Sequence, residues 1–127
     1  LEDCTVRPAA DQIEYHPGYT QPDTVAFRKA HNILVEAGSP IGRGRLLADP
    51  LLNAVAHKYG KTVAQICVKF ALAHGVLPLP KTVSQDRMRE NADVFDFRLD
   101  WSDLGDIEGM PETGRSGSHP DEADFGV

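Results

Sequence analysis

Thr62-Val63-Ala64-Gln65-Ile66-Cys67-Val68-Lys69-Phe70-Ala71, followed by Gly75-Val76-Leu77-Pro78-Leu79 and Pro80-Lys81-Thr82-Val83-Ser84, decides the fold class of this chain. Thr62 and Gln65 have capping-box spacing, in which each side chain bonds the other residue's backbone N–H. Val63, Ile66, Cys67, Phe70 and Ala71 recur at i, i+3, i+4, i+7 and i+8, one apolar stripe on a helix. Gly75 ends that helix, and Val76 to Leu79 reads as a short apolar strand. Pro78 removes a backbone donor, so pairing there is expected to be limited. Ser84 then caps a helix over Gln85 to Ala92. A helix, a strand, a loop and another helix form the unit of a parallel α/β layer.

The flanking sequence extends this alternation. Upstream, Asp11 to Tyr15 alternates polar and apolar, as a half-buried strand does, and His16-Pro17-Gly18 stops it. Pro22 opens a helix to about His31. Asn32 to Ala37 reads as a buried strand ended by Gly38-Ser39-Pro40, and Asp49-Pro50 opens a helix Leu51 to Tyr59 that Gly60 stops. Downstream, Asp100-Trp101 to Met110 is a weaker helix, diluted by Gly105 and Gly109. The expected order is strand, helix, strand, two helices, strand, two helices. Three parallel strands are too few to close a barrel or make a fully covered sheet, so the topology predicts part of a larger α/β assembly. Residues 1–110 are expected to form that unit. Residues 111–127, rich in glycine, proline, serine and acids, are expected to form an extended tail.

Composition narrows the function. The 127 residues carry a net charge of −6 with no long basic run, which argues against nucleic-acid binding. No apolar run approaches the roughly 18–20 residues of a membrane span. Leu1-Glu2-Asp3-Cys4 has neither the basic start nor the apolar core of a signal peptide, and there is no initiator Met, so the chain is expected to begin inside a longer gene product. Two cysteines, Cys4 and Cys67, cannot form a disulfide scaffold and fit a reducing cytoplasm. Five histidines, His16, His31, His57, His74 and His119, include no i, i+4 pair, and there is no CxxC, so no metal site is expected. Tyr15 and His16 are adjacent on a strand and point to opposite faces, so they do not read as an acid–base couple.

Two loops carry candidate chemistry. Gly38-Ser39-Pro40-Ile41-Gly42-Arg43-Gly44 follows a strand and is rich in glycine, so its backbone could approach a phosphate, although an ordinary surface loop fits as well. Lys81, Thr82, Ser84 and Arg87 gather two cations and two hydroxyls at a helix start, where free N–H groups and the helix dipole favour an anion. Arg87 and Asn91, at i, i+4, share a face. The same residues also fit a solvated helix start with incidental charges.

Four ordered motifs add a resemblance. Gln12-Ile13-Glu14-Tyr15-His16-Pro17, Val35 to Gly44, Gly60-Lys61-Thr62-Val63-Ala64-Gln65 and Pro80-Lys81-Thr82-Val83-Ser84, continued by Arg87-Met88-Arg89-Glu90-Asn91 and Val94-Phe95-Asp96-Phe97, resemble the C-terminal half of an aldo-keto reductase. The tail from Gly114 to Glu122 is similar to that of the bacterial 2,5-diketo-D-gluconate reductases within that family.

The resemblance implies a partial (β/α)8 TIM barrel holding its sixth to eighth strands, incomplete as a closed barrel. It also implies NADPH as cofactor and a carbonyl substrate. Gln12 would hold the nicotinamide carboxamide, and Ser39 and Ile41 would line the pyrophosphate. Lys81, Thr82 and Arg87 would hold the 2′-phosphate, with Glu90 and Asn91 near the adenine. Gly38 stands where the family usually stacks an aromatic residue on the nicotinamide, and Asp11 where asparagine is usual. The family's catalytic Asp, Tyr, Lys and His have no counterpart here, so the chain alone is expected to be inactive and to self-associate through its open sheet. The alternatives are a non-catalytic nucleotide-binding module or a structural piece associating through strand edges.

Overall fold

The computed structural model describes residues 1–124 and 126. In chain order the elements are β1 (Ala10–Glu14), α1 (Pro22–Ala30), β2 (Leu34–Gly38), a 3-10 segment (Gly42–Ala48), α2 (Pro50–Tyr59), α3 (Val63–Ala73), β3 (Leu77–Pro78), α4 (Gln85–Ala92) and α5 (Trp101–Glu108). The order matches the alternation read from sequence, with the 3-10 segment added between β2 and α2. The capping signals act where they were expected. Thr62 and Gln65 form the reciprocal box at the start of α3. The side chains of Asp49, Ser84 and Asp100 accept N–H bonds at the starts of α2, α4 and α5. Gly60 ends α2 in the left-handed region.

The strands pair in parallel in the order β1-β2-β3, and β3 contributes only two residues. Pro78 sits within that pairing and has no N–H to donate, which is why the ladder is short. Ile13, Tyr15, Val35 and Ala37 face the helices and join one core with Leu52, Val55, Ile66, Phe70 and Ile107. Tyr15 stacks on Phe70 with ring centroids 6.1 Å apart. Asp11 lies on the same side as Ile13 and pairs with Arg28 of α1, so its charge has a partner in the helix layer.

The opposite face of the sheet carries Ala10, Gln12, Glu14, Leu34, Glu36, Gly38 and Leu77 by the two-residue period. Leu34 and Leu77 are 46% and 41% exposed there. Among the described residues this face lacks the covering layer that the helices give the other, and the sheet is not closed.

Polar ties fix the outer helices. Lys58 of α2 bonds Asp100 at 2.7 Å and Asp103 at 2.6 Å, and Tyr59 donates to the same Asp103 carboxylate at 2.6 Å. The Lys58 ammonium, and then the Asp103 backbone N–H, hold the Asp100 carboxyl down at about 2. Lys61 reaches Asp93 and Asp96 beyond α4. Each of these pairs has at least one partner open to solvent, so they orient more than they stabilise.

The segment after α5 forms neither helix nor strand over residues 111–124. It does not hang free, because Thr113 donates to the Gly18 carbonyl at 2.8 Å and the chain then docks on the end of β1. Phe125 and Val127, part of the expected tail, lie outside the described residues.

Candidate functional site

Parallel pairing brings the C-terminal ends of β1, β2 and β3 to one edge, so the loops that follow them meet there. Gln12 lies on the uncovered face of β1 and folds its amide over β2. A Cβ on Gly38 would stand 2.9 Å from Gln12 Nε2. The end of the flexible Gln12 side chain therefore rests against Gly38, and a larger side chain at that position would displace it.

Ser39 and Ile41 sit in a loop that doubles back sharply. Ser39, Gly42, Arg43 and Gly44 all have left-handed φ, at 50°, 54°, 55° and 89°. Glycine adopts this freely, whereas Ser39 and Arg43 each carry a conformational cost of about 1–2 kcal/mol. The turn uses its own donors. Gly42 N–H bonds the Ser39 carbonyl at 2.8 Å, and Gly44 N–H bonds that of Ile41 at 2.9 Å. Those two N–H groups are committed within the loop.

The third loop gathers the cations. Thr82 Oγ1 accepts from Ser84 N–H at 3.1 Å, and Ser84 Oγ accepts from Arg87 N–H at 3.4 Å. These bonds set the start of α4, with the side chains of Lys81 and Arg87 exposed beside it. Glu90 has an additional role that the sequence did not reveal. Its carboxylate accepts from the Thr62 hydroxyl at 2.7 Å, while Gln65 donates to the Glu90 carbonyl at 3.0 Å. The capping box of α3 thus anchors α4 and, with it, Arg87 and the half-buried Asn91.

A second cluster at the same edge was not visible in the sequence. Glu14 ends β1, and its carboxylate accepts from Ser116 N–H at 2.7 Å and from Gly117 N–H at 3.4 Å. His16, wholly buried, holds Nε2 2.9 Å from Glu14 Oε1 and Nδ1 2.9 Å from the Pro17 carbonyl. Strand alternation puts Glu14 on the face of Gln12, but nothing local indicates a partner a hundred residues away.

Burial works to raise the Glu14 carboxyl, yet the hydrogen bonds from Ser116 and His16 outweigh it and hold it below its ordinary 4.5. A lowered folded value stabilises the docked form above the unfolded value and loses that contribution as pH falls through the folded one. The Ser116 amide proton should therefore shift in an NMR titration with a midpoint below 4.5, as protonated Glu14 releases it. A midpoint at or above 4.5 would contradict this geometry.

Other candidates are accounted for by packing. Burial, with a smaller effect from Asp49, pushes the Cys67 thiol up to about 12, so it acts as a core side chain. His74 packs tilted against Phe70, ring centroids 4.4 Å apart, and reaches Glu108 at 2.7 Å. Among the described residues no three His, Cys, Asp or Glu side chains form a metal site, and no helix is long and apolar enough to cross a membrane.

Comparisons with known proteins give a consistent match. The model of the Aldo/keto reductase family matches residues 1–112. The chain is 38% identical over 125 residues to glyoxal reductase of Bacillus subtilis, covering 98% of this chain and 45% of that protein. It is 37% identical over 124 residues to methylglyoxal reductase DkgA of Escherichia coli, covering 96% and 45%. Among solved structures, a point mutant of Gox0644 in complex with NADPH superposes with TM-score 0.92 at 38% identity, covering 98% of this chain and 46% of that one. A Bombyx mori aldo-keto reductase in complex with NADP superposes with TM-score 0.83 at 33% identity, covering 94% and 42%. The chain spans about half the length of the curated relatives it matches.

Proposed function

The chain belongs to the aldo/keto reductase family, and on that premise we propose that it is the cofactor-binding portion of an NADPH-dependent reductase of aldehydes and ketones. The observation that carries this reading is the gathering of Lys81, Thr82, Ser84 and Arg87 at the start of α4, directly beyond β3. An ammonium, a guanidinium and the free N–H groups of a first helical turn suit a phosphate.

In this proposal β1, β2 and β3 are the sixth, seventh and eighth strands of a (β/α)8 barrel. Residues 1–110 supply the barrel portion and residues 111–127 its tail. Lys81, Thr82 and Arg87 hold the 2′-phosphate, while Glu90 and Asn91 lie on the adenine side. Ser39 and Ile41 line the pyrophosphate, and Gln12 turns its amide to the nicotinamide carboxamide. NADPH, when bound, supplies hydride to a carbonyl carbon. The chain's own residues bind and orient the cofactor, and none is assigned as proton donor. Tyr15 is not a candidate, since it is packed against Phe70 and burial raises its hydroxyl well above the ordinary value. The donor would come from the rest of a complete barrel. Relatives named for glyoxal and methylglyoxal support small dicarbonyl substrates. Keto-sugar acids are a second class, favoured by the tail from Gly114 to Glu122.

Titrating NADPH fluorescence with the 127-residue chain tests the reading. Saturable binding that Lys81→Ala and Arg87→Ala weaken is the expected result, with no reduction of methylglyoxal by the chain alone. Absence of binding, or binding indifferent to both substitutions, would overturn it. The uncovered sheet face, with Leu34 and Leu77 exposed, should also make the chain self-associate. Light scattering should report a mass that rises with concentration, and a constant monomer mass would refute that expectation.

A further inference from the structure

The bonds around Glu14 continue into the loop that follows β2. Arg45, within that loop, donates from Nε to the Gly42 carbonyl at 3.4 Å and from Nη2 to the Gly114 carbonyl at 3.2 Å. One guanidinium therefore spans the loop and the C-terminal segment. Arg43 lies against the same segment, since a Cβ on Gly117 would stand 3.0 Å from its Nη2 and 4.0 Å from Glu14 Oε2. On the far side, Arg115 donates to the Tyr19 hydroxyl at 3.0 Å with its guanidinium over that ring. Thr113 is fixed to Gly18. The segment 113–117 is thus held by Gly18 at its start, by Tyr19 at Arg115 and by the Glu14 carboxylate at its end.

We propose that Glu14 is a positioning residue that seats segment 113–117 on the end of β1, so that this segment holds Arg43 and Arg45 and sets the shape of the Ser39–Gly44 loop. The loop has reason to need outside support, because Ser39 and Arg43 are left-handed without being glycine. Its internal bonds, from Gly42 and Gly44, close two tight turns but do not tie it to the sheet. Arg45 and the tail supply that tie. The further step, that this matters for NADPH, rests on the proposed function, in which Ser39 and Ile41 line the pyrophosphate. Both NADPH and NADH carry a pyrophosphate, so Glu14 should affect them equally. Lys81 and Arg87 should discriminate between them.

The test compares Glu14→Ala and Glu14→Gln with the unaltered full chain by three measurements. Hydrogen exchange reads the loop around residues 39–48 and the segment around 113–117, tryptic cleavage after Arg115 reads release of the segment, and fluorescence titration reads both cofactors. Glu14→Ala is expected to speed exchange in both regions and to speed cleavage after Arg115 about tenfold, since it removes charge-assisted bonds. Glu14→Gln, which keeps an acceptor oxygen, should recover part of the protection, a gradation that general unfolding would not produce. NADPH and NADH should weaken several-fold and by the same factor. Unchanged cleavage and exchange would overturn the seating of the segment whatever the cofactor does. Release of the segment with an unchanged loop would overturn its transmission to the loop, as would a loss confined to NADPH. If the unaltered chain binds neither cofactor, the proposed function fails and takes the cofactor step with it, while exchange and cleavage still decide the role of Glu14.

Discussion

Replacing Arg87 by alanine in the complete barrel is expected to weaken NADPH binding roughly ten- to a hundredfold and to leave NADH little changed. The two cofactors differ by one phosphate, which carries about −1.5 to −2 charge near neutral pH if it ionises as other phosphomonoesters do. A guanidinium meets such a group with two parallel donors, which a ribose hydroxyl cannot use in the same way. Among the described residues the Arg87 side chain is exposed and engaged in no ion pair. Glu90 is engaged by Thr62, and Asp86 faces Arg89 at 3.7 Å. Salt should narrow the difference, because the site is exposed and screened. Parallel titrations of both cofactors decide the matter. Equal losses would mean that Arg87 supports α4 and does not read the phosphate.

Phe70→Ala should have the largest effect on folding, a loss of about 3–5 kcal/mol in chemical denaturation. Phe70 is completely buried in the core between α3 and the sheet, with Tyr15 stacked on one side and His74 on another. Removing the ring takes away its transfer energy and leaves a cavity that a two-residue β3 and a short sheet cannot readily close. Phe95→Ala is the control, since Phe95 is 80% exposed and its loss should cost no more than about 0.5 kcal/mol. Similar losses at the two positions would mean that the core is not organised around α3.

The helices of this chain were legible because their signals are local. A capping box needs only Thr62 and Gln65, and Ser84 caps α4 within three residues of its own position. The apolar stripe of α3 repeats at the helical period, and its members are buried. The strand ending in Glu14 was shifted by one residue, and β2 began at Leu34, two residues later than expected. Strand ends depend on which partner continues the ladder, and that information lies in another segment. The 3-10 segment Gly42–Ala48 was missed because its left-handed residues at Arg43 and Gly44 follow no periodic pattern.

The candidate site divides along the same line. Lys81, Thr82, Ser84 and Arg87 lie within seven positions of one another, so spacing alone placed them at one helix start. Glu90 was assigned by resemblance to the adenine side, and only the folded chain revealed its bond to Thr62, twenty-eight residues earlier. The joining of Glu14 to Ser116 spans 102 positions.

The sequence by itself determined the alternation of helices and strands, the caps, the apolar face of α3 and the cluster of cations after β3, because each depends on neighbours within a few residues and on the period of the backbone. Only the tertiary structure decided that the end of the Gln12 side chain rests against Gly38 and that Ser116 and Gly117 bond the Glu14 carboxylate. Those contacts join parts of the chain whose separation carries no periodic signal, and they form only when packing of the core brings the strand ends and the tail to the same edge.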